Sequence, residues 1–265
     1  MVATRAEILK PLRLPVLGIF TADHMSYDIE RDPAAEPSLE EMTRRALELL
    51  GGSPRGFFLM IEGSRIDHAG HENDPATQAR EVLAYDAAVR AALQFARREA
   101  HTLVVSVSDH ETGGMTLCRQ PGSGDTPIYE FHPEPLLEVH ASAQAMARKI
   151  HAGADPRAVL AADAGVDSLS DGEVAGLRDT AISEKRRIAR VGDVESRRAL
   201  VGWTTLGHTA VDVGLYAFGP GASRLRGFHP NDEVGRIVAA VMGLDLAAET
   251  RRLRGKAMTR AAPAR

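Results

Sequence analysis

Cysteine is almost absent: Cys118 is the single one in 265 residues. One thiol cannot close an internal disulfide, so the fold is not stapled. Cys118 follows Met115-Thr116-Leu117, a strand-like stretch, and reads as a small core residue rather than a nucleophile. Aromatic residues are scarce too, at 5%, and no basic stripe is interleaved with them. Base-stacking platforms and nucleic-acid surfaces therefore lose support, and the net charge of −4 agrees. No apolar run reaches the ~18 residues of a membrane-spanning helix. The opening MVATRAEILKPLRLPVLGIF holds only a short, broken apolar segment without a small-residue cleavage site, so no convincing signal peptide is read there. Three motifs are missing as well: no G-x-S-x-G elbow, no G-x-x-x-x-G-K loop and no G-x-G-x-x-G. Serine-triad hydrolases and nucleotide-loop enzymes lose support accordingly.

What is present is ordinary globular material, 44% hydrophobic and 26% charged, enough for one large domain or one with an insertion. The chain is organised around GFFLMIEGSRIDHAGH, residues 56 to 71. Phe57 to Ile61 is an apolar run of strand length, and Glu62, Asp67, His68 and His71 follow it in close order. Pro15 to Phe20 predicts an earlier strand, with His24 in the polar loop beyond it as a solvated or capping residue. Ser38 to Glu41 is a capping box opening a helix that Gly51-Gly52 ends. Asp74-Pro75 caps a second helix running to about Arg98. His101 to Ser108 predicts a second buried strand, and it too ends in donors, Asp109 and His110. Strand, helix, strand in that order implies a right-handed crossover and a parallel pair, with both donor clusters on one sheet edge. Residues 136–202 read as a helical insertion whose His140 and His151 face solvent. A strand from Val211 to Phe218, a helix from Asn231 to Leu244 and a disordered tail over 251–265 complete the expected order.

The donor types suggest metals. Asp67 and His71 are four apart, on one face of a helical turn, and His208 flanks another strand. One carboxylate oxygen and two imidazoles suit a borderline cation such as zinc, and three protein ligands with an open position is the catalytic pattern. Asp109 and His110 offer the same atoms, while Glu62 is a hard oxygen donor better suited to magnesium. Each has a plainer reading: an Asp-His pair at a strand end is often a cap, and Glu62 can pair with Arg65.

EGSRIDHAGH (62–71), SDHETGG (108–114) and GHTAVDVGLYAFGPGA (207–222), in this order and spacing, resemble the carboxyl-terminal half of the alkaline phosphatase family. The similarity takes in LGIFTADHMSYDIERDP and runs from about Leu14 to Leu244. It implies an α/β fold, part of an alkaline-phosphatase-like three-layer sandwich with a mostly parallel sheet. By the resemblance, Asp67, His71 and His208 hold a first zinc, Asp109 and His110 a second, and Glu62 magnesium. His68 falls where relatives carry Lys or His near the phosphate, which implies a substrate-side role, though a role supporting the ligands is equally physical. Ala210 replaces the glycine usual after the His-Thr pair. The larger departure is that this chain shows no counterpart to the family's Asp-Ser-Ala nucleophile, its bridging aspartate, a further magnesium ligand or its phosphate-binding arginine. Ser64 and Ser108 do not match the nucleophile motif. The expected activity is thus phosphomonoester hydrolysis through a phosphoserine supplied by a region missing here, with this chain alone weak or inactive. The alternatives are a non-catalytic zinc-binding fragment needing an amino-terminal partner, and a phosphodiesterase of the same superfamily. A homodimer or an amino-terminal complementing segment is the partner expected, and localisation stays open: relatives are mostly periplasmic or extracellular, but an export signal is expected in the missing part.

Overall fold

The computed structural model describes residues 1–120, 124, 126–127 and 129–260, with backbone alone over 255–260. The chain divides into two compact units, Met1–Ala92 with His110–Asp212, and Leu93–Asp109 with Val213–Arg265.

In the first unit the short helix α1 (Arg5–Ile8) leads to α2 (Leu39–Leu50). The predicted capping box is formed: Ser38 Oγ accepts from Glu41 N–H and the Glu41 carboxylate accepts from Ser38 N–H. Glu41 also takes the Arg5 guanidinium in a two-pronged ion pair, tying α1 to α2. Helix α3 (Arg65–Glu72) follows, and Asn73 at φ 52° turns the chain sharply into α4 (Pro75–Arg98). The cap on α4 is buried and bridges two elements. Asp74 Oδ1 accepts from Thr77 N–H at 2.9 Å and Oδ2 from Ala143 N–H at 2.7 Å.

The first of two departures from the expected sheet is the run 57–61, which lies in no strand. Phe57, Leu59 and Ile61 are half-buried, but Phe58 is 64% and Met60 75% exposed. An unbroken apolar run leaves open whether one face or both will be covered, and here it is one. The Pro15 to Phe20 stretch behaves similarly, with a single bridge from Val2 to Gly18 and with Leu17 and Ile19 exposed. The second departure is direction. The ladders are small and antiparallel: in the first unit β2 (Glu111–Thr112) with β5 (His208–Thr209), and β3 (Thr116–Leu117) with β4 (Val201–Gly202). In the second unit β1 (Val104–Val107) pairs with β6 (Leu215–Phe218). A segment returning along 201–218 competes for the same backbone groups that a parallel neighbour would use. Among the described residues, parallel pairing occurs only at the Val2–Gly18 bridge. Cys118, expected in the core, is exposed at φ 68° just after β3.

Helices α5 (Glu134–Leu137), α6 (Ala143–His151), α7 (Pro156–Ala164), α8 (Asp171–Arg178) and α9 (Glu184–Ala199) lie between β3 and β4. Each of the last four starts at a residue suited to a cap: Ser142, Asp155, Ser170 and Ser183. Their apolar faces, including Met146, Leu160 and Val191, close a continuous core to which Ala76 of α4 also belongs. The stretch read as an insertion thus carries most of the buried core cluster of its unit. In the second unit α10 (Asn231–Val241) precedes α11 (Leu246–Arg260). Helix α11 covers 251–260 of the expected disordered tail, because Asp245 caps it and its Leu, Ala, Glu, Lys and Arg residues are strong helix formers. The remainder, 261–265, lies outside the described residues.

One core position breaks the pattern. Glu195 of α9 is 2% exposed, and both of its carboxylate oxygens are buried without a hydrogen-bond partner among the described residues. Burial, reinforced by the neighbouring Asp74 carboxylate, pushes its carboxyl well above the usual range. Between the ordinary carboxyl value and that raised value, the folded chain keeps a proton that the unfolded chain releases, so stability falls as pH rises. Glu195→Met is expected to stabilise the chain by about 1–3 kcal/mol at pH 8, the gain shrinking toward pH 5. Urea midpoints across that range check this, and equal midpoints at pH 8 would contradict it.

Candidate metal centre

Helix α3 is short, and its eight residues RIDHAGHE place Asp67 and His71 one turn apart on one face. Gly70 stands on the side that meets β2, where an added Cβ would lie 2.9 Å from the Thr112 carbonyl oxygen and 3.0 Å from its Cβ. The helix can approach the ladder that closely only because this residue has no side chain. Across the ladder Thr112 is the register partner of His208. The turn beyond is locked from both sides: Gly113 N–H donates to Gly207 C=O at 2.8 Å, and Gly113 C=O accepts from Thr204 and Thr205 N–H at 2.9 and 3.1 Å. Gly113 sits at φ +91° against the Trp203 ring, a conformation and a space that only glycine fits.

This geometry gathers Asp67, His71 and His208, whose ligand atoms all lie within 4.8 Å of one another. His71 Nε2 is 3.5 Å from Asp67 Oδ2, His208 Nε2 is 3.6 Å from Asp67 Oδ1, and the two Nε2 atoms are 3.2 Å apart. His71 Nδ1 lies 2.8 Å from the Leu206 carbonyl oxygen. A carbonyl only accepts, so Nδ1 carries the proton and Nε2 faces the group as a lone pair. Two ring nitrogens and a carboxylate this close offer their lone pairs to one point, as the ligands of a cation do. The donor set therefore fits a cation, and His208, exposed at the rim, leaves one side open.

The other expected ligands are placed differently. The His110 ring stacks on His208, with centroids 3.6 Å apart and planes at 22°. His110 Nδ1 is 3.2 Å from Thr112 Oγ1. Asp109 is the last residue of its segment in the second unit. Glu62 is exposed, three residues ahead of α3, and is not part of the three-donor group. His68 is half-buried on α3 beside Arg65 and His24. Burial first, then the Arg65 and His24 charges, holds its imidazole below the usual histidine value. Ser64 is the residue before α3 and makes no side-chain cap bond.

Sequence reading missed two supports. Thr112 Oγ1 donates to Asp67 Oδ1 at 2.5 Å, and the Leu206 carbonyl orients His71. The signal for Thr112 was its position two residues after His110, the same-face spacing of a strand. His24, read as a solvated or capping residue, is exposed and also meets the His68 ring at a centroid distance of 4.4 Å. Beneath α3, Tyr27 donates to Glu72 Oε2 at 2.9 Å, and burial pushes the Glu72 carboxyl up to about 7.

The fold and the site together define a mixed helix-and-sheet protein with a group of three donors, Asp67, His71 and His208, that could hold a metal ion. Comparison with known proteins is specific: the chain matches the family "Alkaline phosphatase" over residues 1–244, and it belongs to that family. It is 37% identical to the repressible alkaline phosphatase of Saccharomyces cerevisiae over 260 residues, covering 88% of this chain and 46% of that protein. Alkaline phosphatase 4 of Bacillus subtilis is 34% identical over 243 residues, covering 91% of this chain and 51% of the relative. The crystal structure of Thermus thermophilus alkaline phosphatase superposes with a TM-score of 0.77 at 27% identity, over 92% of this chain and 56% of that one. The chain spans about half the length of the relatives it matches.

Removing the Thr112 hydroxyl tests whether it orients Asp67. Thr112→Val is expected to weaken cation binding about 10–100-fold with the fold intact, read by competition against a chromogenic chelator. Unchanged affinity would remove Thr112 from the site.

Proposed function

We propose that this chain is the metal-binding part of a phosphomonoester hydrolase of the alkaline phosphatase type, with Asp67, His71 and His208 as the ligands of one zinc. The observation that carries this reading is the closeness of the donors: the two Nε2 atoms are 3.2 Å apart, and each lies 3.5–3.6 Å from a different Asp67 oxygen, His71 from Oδ2 and His208 from Oδ1. A tetrahedral zinc with arms of 2.0–2.1 Å has ligand-to-ligand edges of about 3.3–3.4 Å. Asp109 and His110 are the proposed ligands of a second zinc and Glu62 of magnesium. The stacking of His110 on His208 supports a second site beside the first.

When bound, paired zinc ions supply Lewis-acid stabilisation of phosphoryl oxygens and an in-line clamp. The chain's own residues do the preparation. Leu206 C=O holds the His71 proton on Nδ1, Thr112 fixes one Asp67 oxygen, and the His110–His208 stack limits ring rotation. His68 is the proposed phosphate-side residue. A relative from Streptomyces griseus, 30% identical, is named streptomycin-6-phosphate phosphatase, which favours monoester over diester substrates.

A second reading has its own support, that of a zinc-binding part that needs an amino-terminal partner. The sequence holds no Asp-Ser-Ala turn, and Leu17, Ile19, Phe58 and Met60 expose apolar surface of the kind that strand partners cover. The two readings join in one experiment. The purified chain is expected to hydrolyse 4-nitrophenyl phosphate weakly or not at all. Co-expression with the amino-terminal half of Bacillus subtilis alkaline phosphatase 4 is expected to restore turnover, which His208→Ala then abolishes. Strong turnover by the chain alone, abolished by His208→Ala, would overturn the need for a partner. A restored enzyme preferring bis(4-nitrophenyl) phosphate would overturn the monoesterase reading.

A further inference from the structure

Arg65 and His68 lie three residues apart on α3, on adjoining faces of one turn. Arg65 Nη1 is 2.8 Å from His68 Nδ1. A guanidinium has donors only, so at this distance Nδ1 must accept, and the ring proton belongs on Nε2. We infer that Arg65 is a positioning residue that sets the tautomer of His68 and presents its Nε2–H as a hydrogen-bond donor for a phosphoryl oxygen.

The arginine is held firmly enough for that task. Its guanidinium carbon sits 3.6 Å above the centroid of the Tyr27 ring, and Tyr27 is 1% exposed with its hydroxyl donated to Glu72 Oε2 at 2.9 Å. Stacking on the aromatic face fixes the guanidinium plane and leaves its edge for hydrogen bonding. The His24 ring, itself exposed, meets the His68 ring edge-on, with centroids 4.4 Å apart and planes at 63°. The outcome is a pair of imidazoles on one helix with opposite tautomers. His71 keeps its proton on Nδ1 and offers a lone pair to a cation, whereas His68 keeps its proton on Nε2 and offers a donor. An anionic phosphate needs that donor; a lone pair at the same place would repel it.

The phosphate role of His68 rests on the phosphatase reading, but the tautomer is tested without it. Long-range proton–nitrogen NMR of the metal-free chain, labelled on histidine, distinguishes protonated from bare ring nitrogens. The expected result is a bare Nδ1 for His68 and a bare Nε2 for His71. In Arg65→Met, which keeps the length but removes the donors, His68 is expected to become a mixture of both tautomers while His71 stays unchanged, which also shows that α3 is still folded. Arg65→Lys, which keeps a donor, is expected to restore most of the Nε2–H form. A protonated Nδ1 on His68 in the wild-type chain overturns the proposal whatever the variants do. So does a His68 spectrum identical in wild type and Arg65→Met. Neither outcome bears on turnover by the complemented enzyme, so failure of this inference and failure of the phosphatase reading are distinguishable.

Discussion

Thr112 and His208 pair across a ladder only two residues long, and the site exists because that pairing holds. His208 stands 137 residues from His71, and nothing local brings them together. The ladder does, with the glycine turn locking it at Gly113 and Gly207. Loop-closure cost grows slowly with length, so a long intervening segment is tolerable provided it folds on itself. Helices α6 to α9 do so around Met146, Leu160 and Val191, and their core anchors α9 while Trp203 Nε1 donates to Ser196 Oγ beside the ladder. Packing energy in the helices thus appears at the site as the position of an imidazole.

The contrast between Asp74 and Glu195 shows how the same core treats carboxylates. Asp74 is fully buried but receives two backbone N–H donors and a helix N-terminus, whereas Glu195 receives none among the described residues. Burial raises both. Only the first has compensation that makes it structurally useful, joining α4 to the start of α6 just beyond the helix that carries Asp67 and His71. The second is a cost borne within the packed face of α9.

Features encoded over one or two helical turns were legible in the sequence. The Ser38 capping box, the Asp74-Pro75 start and the Asp67–His71 pair depend on neighbours three or four residues away, and the structure forms each of them. Long-range features were legible only through resemblance or not at all. The spacing from His71 to His208 has no local grammar, and the family motifs had to supply it. Element order implied one parallel pair and the resemblance a mostly parallel sheet; element order does not see that the stretch 201–218 returns antiparallel along 104–117. Phe58 and Met60 read as buried because an apolar run does not say how many of its faces find neighbours. The contacts of Thr112 with Asp67, and of Arg65 and His24 with His68, were not legible for a shared reason: contact between side chains is a property of the fold.

The central claim is that Asp67, His71 and His208 form a ready-made site for one zinc. Crystals of the chain grown with zinc and measured on either side of the zinc absorption edge test it most directly. The account predicts an anomalous peak inside the triangle, roughly 2.0–2.2 Å from Asp67, His71 Nε2 and His208 Nε2, and its loss in His71→Ala. A triangle without a peak, its two imidazoles joined through a proton while zinc binds elsewhere on the chain, would contradict it.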